Sequence, residues 1–144
     1  MIRAVLDANV FITAVLTPSG PSAAVLDAWR AERFALLASP PILEEIARVL
    51  AYPKIARRHR WSKQRIMTFV GDLGDLAIVT AGTLRLSVIR EDPDDDRYVE
   101  CAVEGSAEYI VSGDRHLLTL GSYRDVEIVS PRAFLVVLPP TRPR

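Results

Sequence analysis

The sequence is poor in cysteine and histidine and has no net charge, and each shortage excludes a class of protein. Cys101 is the only cysteine among 144 residues, so no disulfide can form within the chain, as expected in the reducing cytoplasm. With only two histidines besides, an ordinary structural zinc site is excluded as well. Because 18 basic residues balance 18 acidic ones, bulk positive charge cannot hold nucleic acid, although a local basic patch still can.

Long apolar runs and glycine-rich phosphate loops are also missing. No segment reaches the roughly 18 apolar residues of a membrane span, so no membrane partner is expected. The nucleotide-binding patterns GxxxxGK(S/T) and GxGxxG and the GxSxG serine elbow do not occur. The chain is 49% hydrophobic, which excludes a disordered protein. We expect one domain over residues 1–138 and a frayed, proline-rich tail over residues 139–144.

Short apolar runs alternate with helical patterns along the chain. The N-terminal stretch, residues 1–16, is interpreted as a buried strand, because charged Asp7 does not fit the apolar core of a signal peptide. The alternation predicts an α/β fold with a five-stranded, mainly parallel sheet. The predicted strands are 2–7, 34–39, 77–82, 109–114 and 126–131, and the predicted helices are 22–32, 39–51, one or two within 54–76, 95–105 and 132–138.

Acidic residues from four parts of the chain are expected at one edge of this sheet. Asp7 and Asp114 end predicted strands. Helices that follow strands begin at the same edge, which adds Glu44 or Glu45 and the acids among residues 92–96. In parallel sheets, ligands bind at the carboxyl ends of the strands near the point where strand order reverses. Taken singly, each acid also has a simpler interpretation, as a turn former or a helix cap.

Clustered carboxylates need a cation, because they repel one another and raise one another's pKa. Mg²⁺ and Mn²⁺ prefer oxygen ligands. Such ions activate water and stabilise the leaving oxygen of a phosphodiester. A bound ion also reverses the local charge, so an acidic pocket can attract a phosphate backbone. A metal-dependent nuclease is therefore compatible with a chain of zero net charge.

Three segments, taken together, resemble the PIN domain nucleases, particularly the VapC-like toxins of toxin–antitoxin pairs. They are VLDANVFITAVL (5–16), SPPILEEIARVLAYPKI (39–55) and DPDDDRYVECAVEGSAEYIVSGDRHLL (92–118). The third is the most specific, with an acid, a helix, a strand and a Ser/Thr-Gly-Asp motif in order. The resemblance covers nearly the whole chain. It implies a three-layer α/β/α fold, Mg²⁺- or Mn²⁺-dependent cleavage of single-stranded RNA, often a homodimer, and a small antitoxin partner.

The resemblance also implies a set of site residues. Glu45 is preferred to Glu44 because it directly precedes Ile46, and Asp96 is preferred as the third acid because of its spacing to Tyr98. Asp92 and Asp94 remain open as substitute ligands. Asn9 and Ser112 match polar positions that orient the acids or bind phosphate. The implied catalytic and metal-binding residues are Asp7, Glu45, Asp96 and Asp114.

A basic segment, residues 48–65, combines seven Lys or Arg residues with Tyr52 and Trp61. Positive charge with stacking rings is what single-stranded nucleic acid needs. We therefore predict that this segment contacts the substrate through Arg57, Arg58 and Arg60. The alternative is a solvated helical face or an antitoxin-binding surface.

Two other functions compete with the nuclease. The first is a PIN-like binding module that has no catalytic activity, against which the complete acid set argues. The second is a phosphoacceptor domain, which needs a lysine near its last strand. No lysine follows Lys63, so the phosphoacceptor interpretation is unfavourable.

Overall fold

The computed structural model of the chain describes residues 1–140. Its strands are Arg3–Leu6 (β1), Ala35–Ala38 (β2), Ile78–Val79 (β3), Tyr109–Val111 (β4), Ser122–Tyr123 (β5) and Val126–Val129 (β6). Its helices are Ala8–Leu16 (α1), Pro21–Arg30 (α2), Pro40–Leu50 (α3), Pro53–His59 (α4), Lys63–Leu76 (α5), Asp96–Glu104 (α6), Arg115–Leu120 (α7) and Pro131–Val137 (α8), with a 3₁₀ turn at Pro93–Asp95.

The strands form one sheet in the order β3-β2-β1-β4-β6-β5. All neighbouring pairs are parallel except β5 with β6. The predicted α/β/α fold with a mainly parallel sheet is confirmed. The predicted strand number was one too low, because the two-residue antiparallel strand β5 is too short to give an alternating pattern.

The N-terminal apolar stretch forms β1 within the predicted strand 2–7, and it then forms helix α1, which was not predicted. It divides at Asp7, whose carboxylate accepts the backbone N–H of Asn9 at 3.0 Å and caps α1. The carboxylate therefore starts a helix where hydropathy alone continues the strand. Both pieces are apolar because both are buried: β1 lies inside the sheet, and α1 packs on α2 and α3. Periodicity cannot separate a buried strand from a buried helix in so short a run.

The strand order reverses between β1 and β4. From β1 the chain proceeds through β2 to β3 on one side, and it then returns to place β4 on the other side of β1. The carboxyl ends of β1 and β4 therefore flank the crevice where ligands bind in sheets of this kind. Asp7 directly follows β1, and Ser112 and Asp114 follow β4.

Residues 80–92 form neither helix nor strand, yet their backbone is anchored along one face of α6. We call this face, made of Asp96, Glu100 and Glu104, the amide-binding face. Its carboxylates accept backbone N–H groups at 2.7–3.2 Å from residues 82, 83, 84, 86, 88 and 89. Charged acceptors thus replace the neighbouring strand that this segment lacks.

The last described residues lie beside the connection between α2 and β2. The carbonyl oxygen of Pro139 accepts two hydrogen bonds from the guanidinium of Arg33, at 3.0 and 3.3 Å. The remainder of the tail predicted to fray, residues 141–144, lies outside the described residues. Within residues 1–140 no single helix is long and apolar enough to cross a membrane. Helices α1 and α2, which meet at 104°, satisfy the length and composition only when joined as a bent pair.

Candidate active site

Three residues at the ends of β1 and β4 are joined by hydrogen bonds. Ser112 donates its hydroxyl to Asp7 Oδ2 at 2.7 Å and accepts the backbone N–H of Asp114 at 2.9 Å. Asp114 in turn caps α7 by accepting the N–H groups of His116 and Leu117. Ser112 is fully buried, so it holds the two aspartates in a fixed relation across the strand reversal.

Asp95 faces Asp114 from the turn before α6. Burial, followed by the hydrogen bond and the charge of Asp114, raises the pKa of Asp95 to about 8. Asp92 and Asp7 add smaller repulsions of the same sign. Two carboxyl groups can share a hydrogen bond only while one keeps its proton, which is why contact with Asp114 favours the protonated form of Asp95.

Glu45 reaches Asp7 from the second turn of α3. Burial is the main cause that raises the pKa of Asp7, opposed by the Ser112 hydrogen bond, and the charge of Glu45 raises it further. The hydroxyl of Tyr98 donates to Glu45 Oε1 and accepts the N–H of Ala8 at 3.2 Å. Burial and the charges of Asp7 and Glu45 raise the pKa of Tyr98, so its phenol stays a proton donor.

Two arginines border these acids. Arg97 Nη1 lies 3.6 Å from Glu45 Oε2, and its guanidinium also pairs with Asp94 at 3.5 Å. Arg48, one turn after Glu45 on α3, lies 4.0 Å from the same Oε2. The Arg97 side chain is only 18% exposed whereas that of Arg48 is 52% exposed, so the Arg97 pair is less screened by solvent.

We call Asp7, Glu45, Asp95 and Asp114 the acid pocket. Its donor set consists of carboxylates, which suits a hard divalent cation such as Mg²⁺ or Mn²⁺. Asp95 Oδ2 is buried and no hydrogen-bond donor reaches it, which leaves an oxygen free to bind a cation. In residues 1–140 no three acidic, histidine or cysteine side chains are already arranged to hold one ion. Binding would therefore require small side-chain movements within the acid pocket.

A family model for the PIN domain (PIN_3) matches residues 3–116, which include every residue of the acid pocket. The chain belongs to the PIN domain family. The family resemblance drawn from the three sequence segments is thereby confirmed.

Two proteins similar to this PIN domain are informative. An uncharacterized protein of Methanocaldococcus jannaschii, MJ1680, is 31% identical over 119 residues, which span 83% of this chain and 75% of the relative. The crystal structure of VapBC2 from Rickettsia felis bound to a DNA fragment from their promoter superposes with a TM-score of 0.60. That match covers 90% of this chain and 98% of the other at 10% identity, so it shows a shared fold.

The third acid predicted for this PIN domain, Asp96, does not face the acid pocket. Its Oδ1 accepts the backbone N–H groups of Val88 and Ile89, at 3.1 and 2.8 Å. The preceding residue, Asp95, faces Asp114 instead. Neighbouring helical positions point about 100° apart, so a shift of one residue moves the carboxylate from the pocket to the amide-binding face. The geometry thus replaces Asp96 by Asp95.

Other residues left open by the sequence are also placed. Glu44 is exposed, whereas Glu45 is half-buried against Tyr98. Asp92 accepts the N–H of Asp94 at 3.2 Å and caps the 3₁₀ turn. Asn9 contributes its backbone N–H to Asp7, and its side chain is exposed.

The basic segment begins at the acid pocket with Arg48 and continues into α4, which packs on α1 and α3. Arg57, Arg58 and Arg60 are exposed. Trp61 is not a free stacking ring, because it is half-buried between Phe69, at 5.3 Å, and the Arg65 guanidinium, at 4.3 Å. The stacking surface predicted for this segment is therefore reduced to exposed Tyr52.

Sequence reasoning placed Asp95 at the sheet edge among residues 92–96 but did not choose it as a site residue, and it missed Arg97 and the Tyr98 hydroxyl. A signal was present in the helical phase. Asp96, Glu100 and Glu104 recur every four residues and therefore share one helical face, whereas Asp95 shares the buried face of Tyr98 and Ala102. Counting phase from the buried residues assigns the two neighbouring aspartates to different faces.

Proposed function

We propose that this PIN domain is a divalent-metal-dependent endoribonuclease that cleaves single-stranded RNA. The observation that carries the proposal is the acid pocket, in which four parts of the chain bring carboxyl groups together at the reversal of strand order. Burial, together with the charges of neighbouring carboxylates, raises the pKa of Asp95 and Asp7. A bound cation would therefore stabilise the charged form of these acids. An arrangement that destabilises the free protein is typical of a functional site.

When bound, Mg²⁺ or Mn²⁺ supplies Lewis acidity toward a phosphodiester and lowers the pKa of a water molecule. The chain's own groups do the positioning. Asp7 and Asp114 are fixed to each other through Ser112, and Asp95 contributes its unpaired oxygen. Glu45 is held by Tyr98 and flanked by Arg97 and Arg48, whose positive charge favours the approach of a phosphate.

The test compares Asp7→Asn with Glu44→Gln. Asp7 lies at the centre of the acid pocket, whereas Glu44 is an exposed acid one residue from the pocket. We expect the wild type and Glu44→Gln to cleave a generic single-stranded RNA in Mn²⁺ and to stop in EDTA. Asp7→Asn should fold and lose cleavage. Cleavage that persists in EDTA, or in Asp7→Asn, would show that the pocket is not the catalytic centre, and an inactive wild type would favour the binding module.

We also propose that the basic segment holds the RNA backbone. Replacing Arg57, Arg58 and Arg60 with alanine should lower the slope of log K against log salt by about 0.7 per lost phosphate contact. Turnover at saturating RNA should change little, because these residues would contact the RNA backbone at a distance from the phosphate that reacts. The matched control replaces three exposed arginines on other elements, Arg30, Arg124 and Arg132. Equal slopes in both triple variants would remove the segment from the RNA path.

We further propose a toxin role in the cytoplasm, with a small antitoxin protein as partner and a homodimer as the assembly. The support is the shared fold with VapBC2 of Rickettsia felis, which was solved bound to promoter DNA. Light scattering of the purified chain tests the dimer. Growth arrest on expression, relieved by co-expression of a small neighbouring gene product, tests the toxin role. A monomeric chain without effect on growth would leave only the nuclease proposal.

A further inference from the structure

Tyr98 combines two properties that rarely occur together in a core residue. It is among the largest fully buried side chains, at 1% exposure, and it is also the point where three elements of the site meet. From α6 its hydroxyl reaches Glu45 on α3 and the N–H of Ala8 in the first turn of α1. A phenylalanine would fill the same volume without either contact.

The direction of the hydroxyl proton follows from its partners. The Ala8 N–H can only donate, at 3.2 Å, so the Tyr98 oxygen accepts there. The hydroxyl hydrogen is then available to Glu45 Oε1, which must accept. The phenol therefore favours one orientation of the Glu45 side chain.

Glu45 is held from its other side by an ion pair. Its Oε2 faces Arg97 at 3.6 Å, and both side chains are less than one-fifth exposed. The two oxygens of this carboxylate therefore have different partners, one neutral donor and one cation. Glutamate has a long, flexible side chain. Holding the Glu45 side chain in one orientation therefore lowers the conformational entropy that is lost when a ligand binds.

We propose that Tyr98 is a positioning residue that presets Glu45 for the divalent cation. This inference rests on the proposed function of the acid pocket, and it adds a residue whose hydroxyl acts through Glu45. Outer partners that orient a metal-binding side chain typically change metal affinity about 10- to 100-fold when they are removed. Tyr98→Phe removes this oxygen and keeps the ring.

The experiment titrates Mn²⁺ into the full-length protein by calorimetry and, separately, measures cleavage as a function of Mn²⁺ concentration. We expect Tyr98→Phe to bind Mn²⁺ at least about tenfold more weakly and to recover near-wild-type cleavage at saturating Mn²⁺. A merely structural role would not separate the two readouts in this way. The matched control is Tyr109→Phe, which removes a phenolic oxygen from β4 and should leave both curves unchanged.

Glu45→Asp gives a second test that leaves Tyr98 and the core intact. It keeps the charge and withdraws the carboxylate from the hydroxyl, so it should weaken Mn²⁺ binding, and Tyr98→Phe should add nothing to that loss. Equal Mn²⁺ affinity of wild type and Tyr98→Phe, or additive effects in the double variant, would overturn the positioning role of Tyr98. Neither outcome would affect the proposed function. A wild type that binds no Mn²⁺ and cleaves no RNA would overturn the proposed function itself.

Discussion

Helix α6 and the 3₁₀ turn before it carry carboxyl groups in opposite electrostatic situations. Toward the acid pocket, Asp95 meets other acids, and burial with the neighbouring Asp114 raises its pKa to about 8. On the amide-binding face, burial acts to raise the pKa of Glu104. Hydrogen bonds from the backbone N–H groups of Leu84, Thr83 and Gly82 outweigh burial, so the pKa of Glu104 is lowered. The turn thus holds an acid that destabilises the metal-free protein, and the helix that follows holds acids that stabilise it.

The adjacent residues Asp95 and Asp96 differ in whether hydrogen-bond donors reach their carboxylates. Asp96 has its charge satisfied by peptide donors and anchors residues 88 and 89. Asp95 has a buried oxygen with no donor. Unsatisfied buried groups are costly, and proteins retain them mainly where a ligand or a reaction uses them. This contrast, more than the number of acids, supports the proposal that the pocket side is the functional side.

The largest expected effect is on catalysis by Asp95→Asn. Because a metal site contributes several kcal/mol to catalysis and each 1.4 kcal/mol is tenfold, we expect RNA cleavage to fall by about 100-fold or more. RNA binding at fixed salt should stay close to that of the wild type. Cleavage rates with excess enzyme, at saturating Mn²⁺, measure the effect. Asp94→Asn, on the exposed neighbour, is the control, and unchanged cleavage in Asp95→Asn would return the third position to Asp96.

The second effect is on stability. Asp96→Ala leaves the N–H groups of Val88 and Ile89 without their charged acceptor, and we expect it to lower the free energy of unfolding by about 3 kcal/mol. Urea denaturation in EDTA measures this. In the control Asp94→Ala, the lost side chain is 83% exposed, and the change should stay within about 0.5 kcal/mol. Equal stability of both variants would contradict the anchoring role.

The third effect is a dependence on pH. Since folding raises the pKa of Asp95 from 3.8 to about 8, the folded protein keeps a proton that the unfolded chain releases. The stability of the metal-free protein therefore falls as pH rises through this window. Asn at position 95 can donate to Asp114 at every pH, so Asp95→Asn should gain stability relative to wild type at pH 8 more than at pH 5. Urea denaturation at both pH values in EDTA checks this, and a pH-independent difference would be inconsistent with the shared proton.

The smallest effect is expected at Glu104, where the pKa shift has the opposite sign to that of Asp95. Folding lowers the pKa of Glu104, so its stabilisation is present at neutral pH and is lost as pH falls through the lowered pKa. Glu104→Gln keeps an acceptor oxygen but loses the charge, and we expect a loss of about 1 kcal/mol at pH 7. Thermal unfolding at pH 7 and pH 3 measures it. The loss should shrink at pH 3, and a loss that grows there would refute the charge-assisted contact.

The sequence by itself determined the class of fold and the general location of the candidate site. Apolar runs alternating with helical patterns specify a parallel sheet, and acids placed at strand ends specify its carboxyl edge. The positions of Asp7 and Asp114 could be predicted, because each is the last residue of a short apolar run that was predicted as a strand. Helix α1 did not follow, because burial makes it as apolar as the strand before it.

Only the tertiary structure decided which neighbouring side chain enters the pocket. Adjacent helical residues differ by about 100° in direction, so the choice between Asp95 and Asp96 depends on how α6 is rotated against the sheet. That rotation is set by the packing of Tyr98, Val99 and Ala102 in the core. Likewise, long-range packing against Phe69 turned Trp61 from a predicted stacking ring into a structural contact. Composition and spacing indicate the kind of chemistry, whereas tertiary packing determines which side chains point into the pocket.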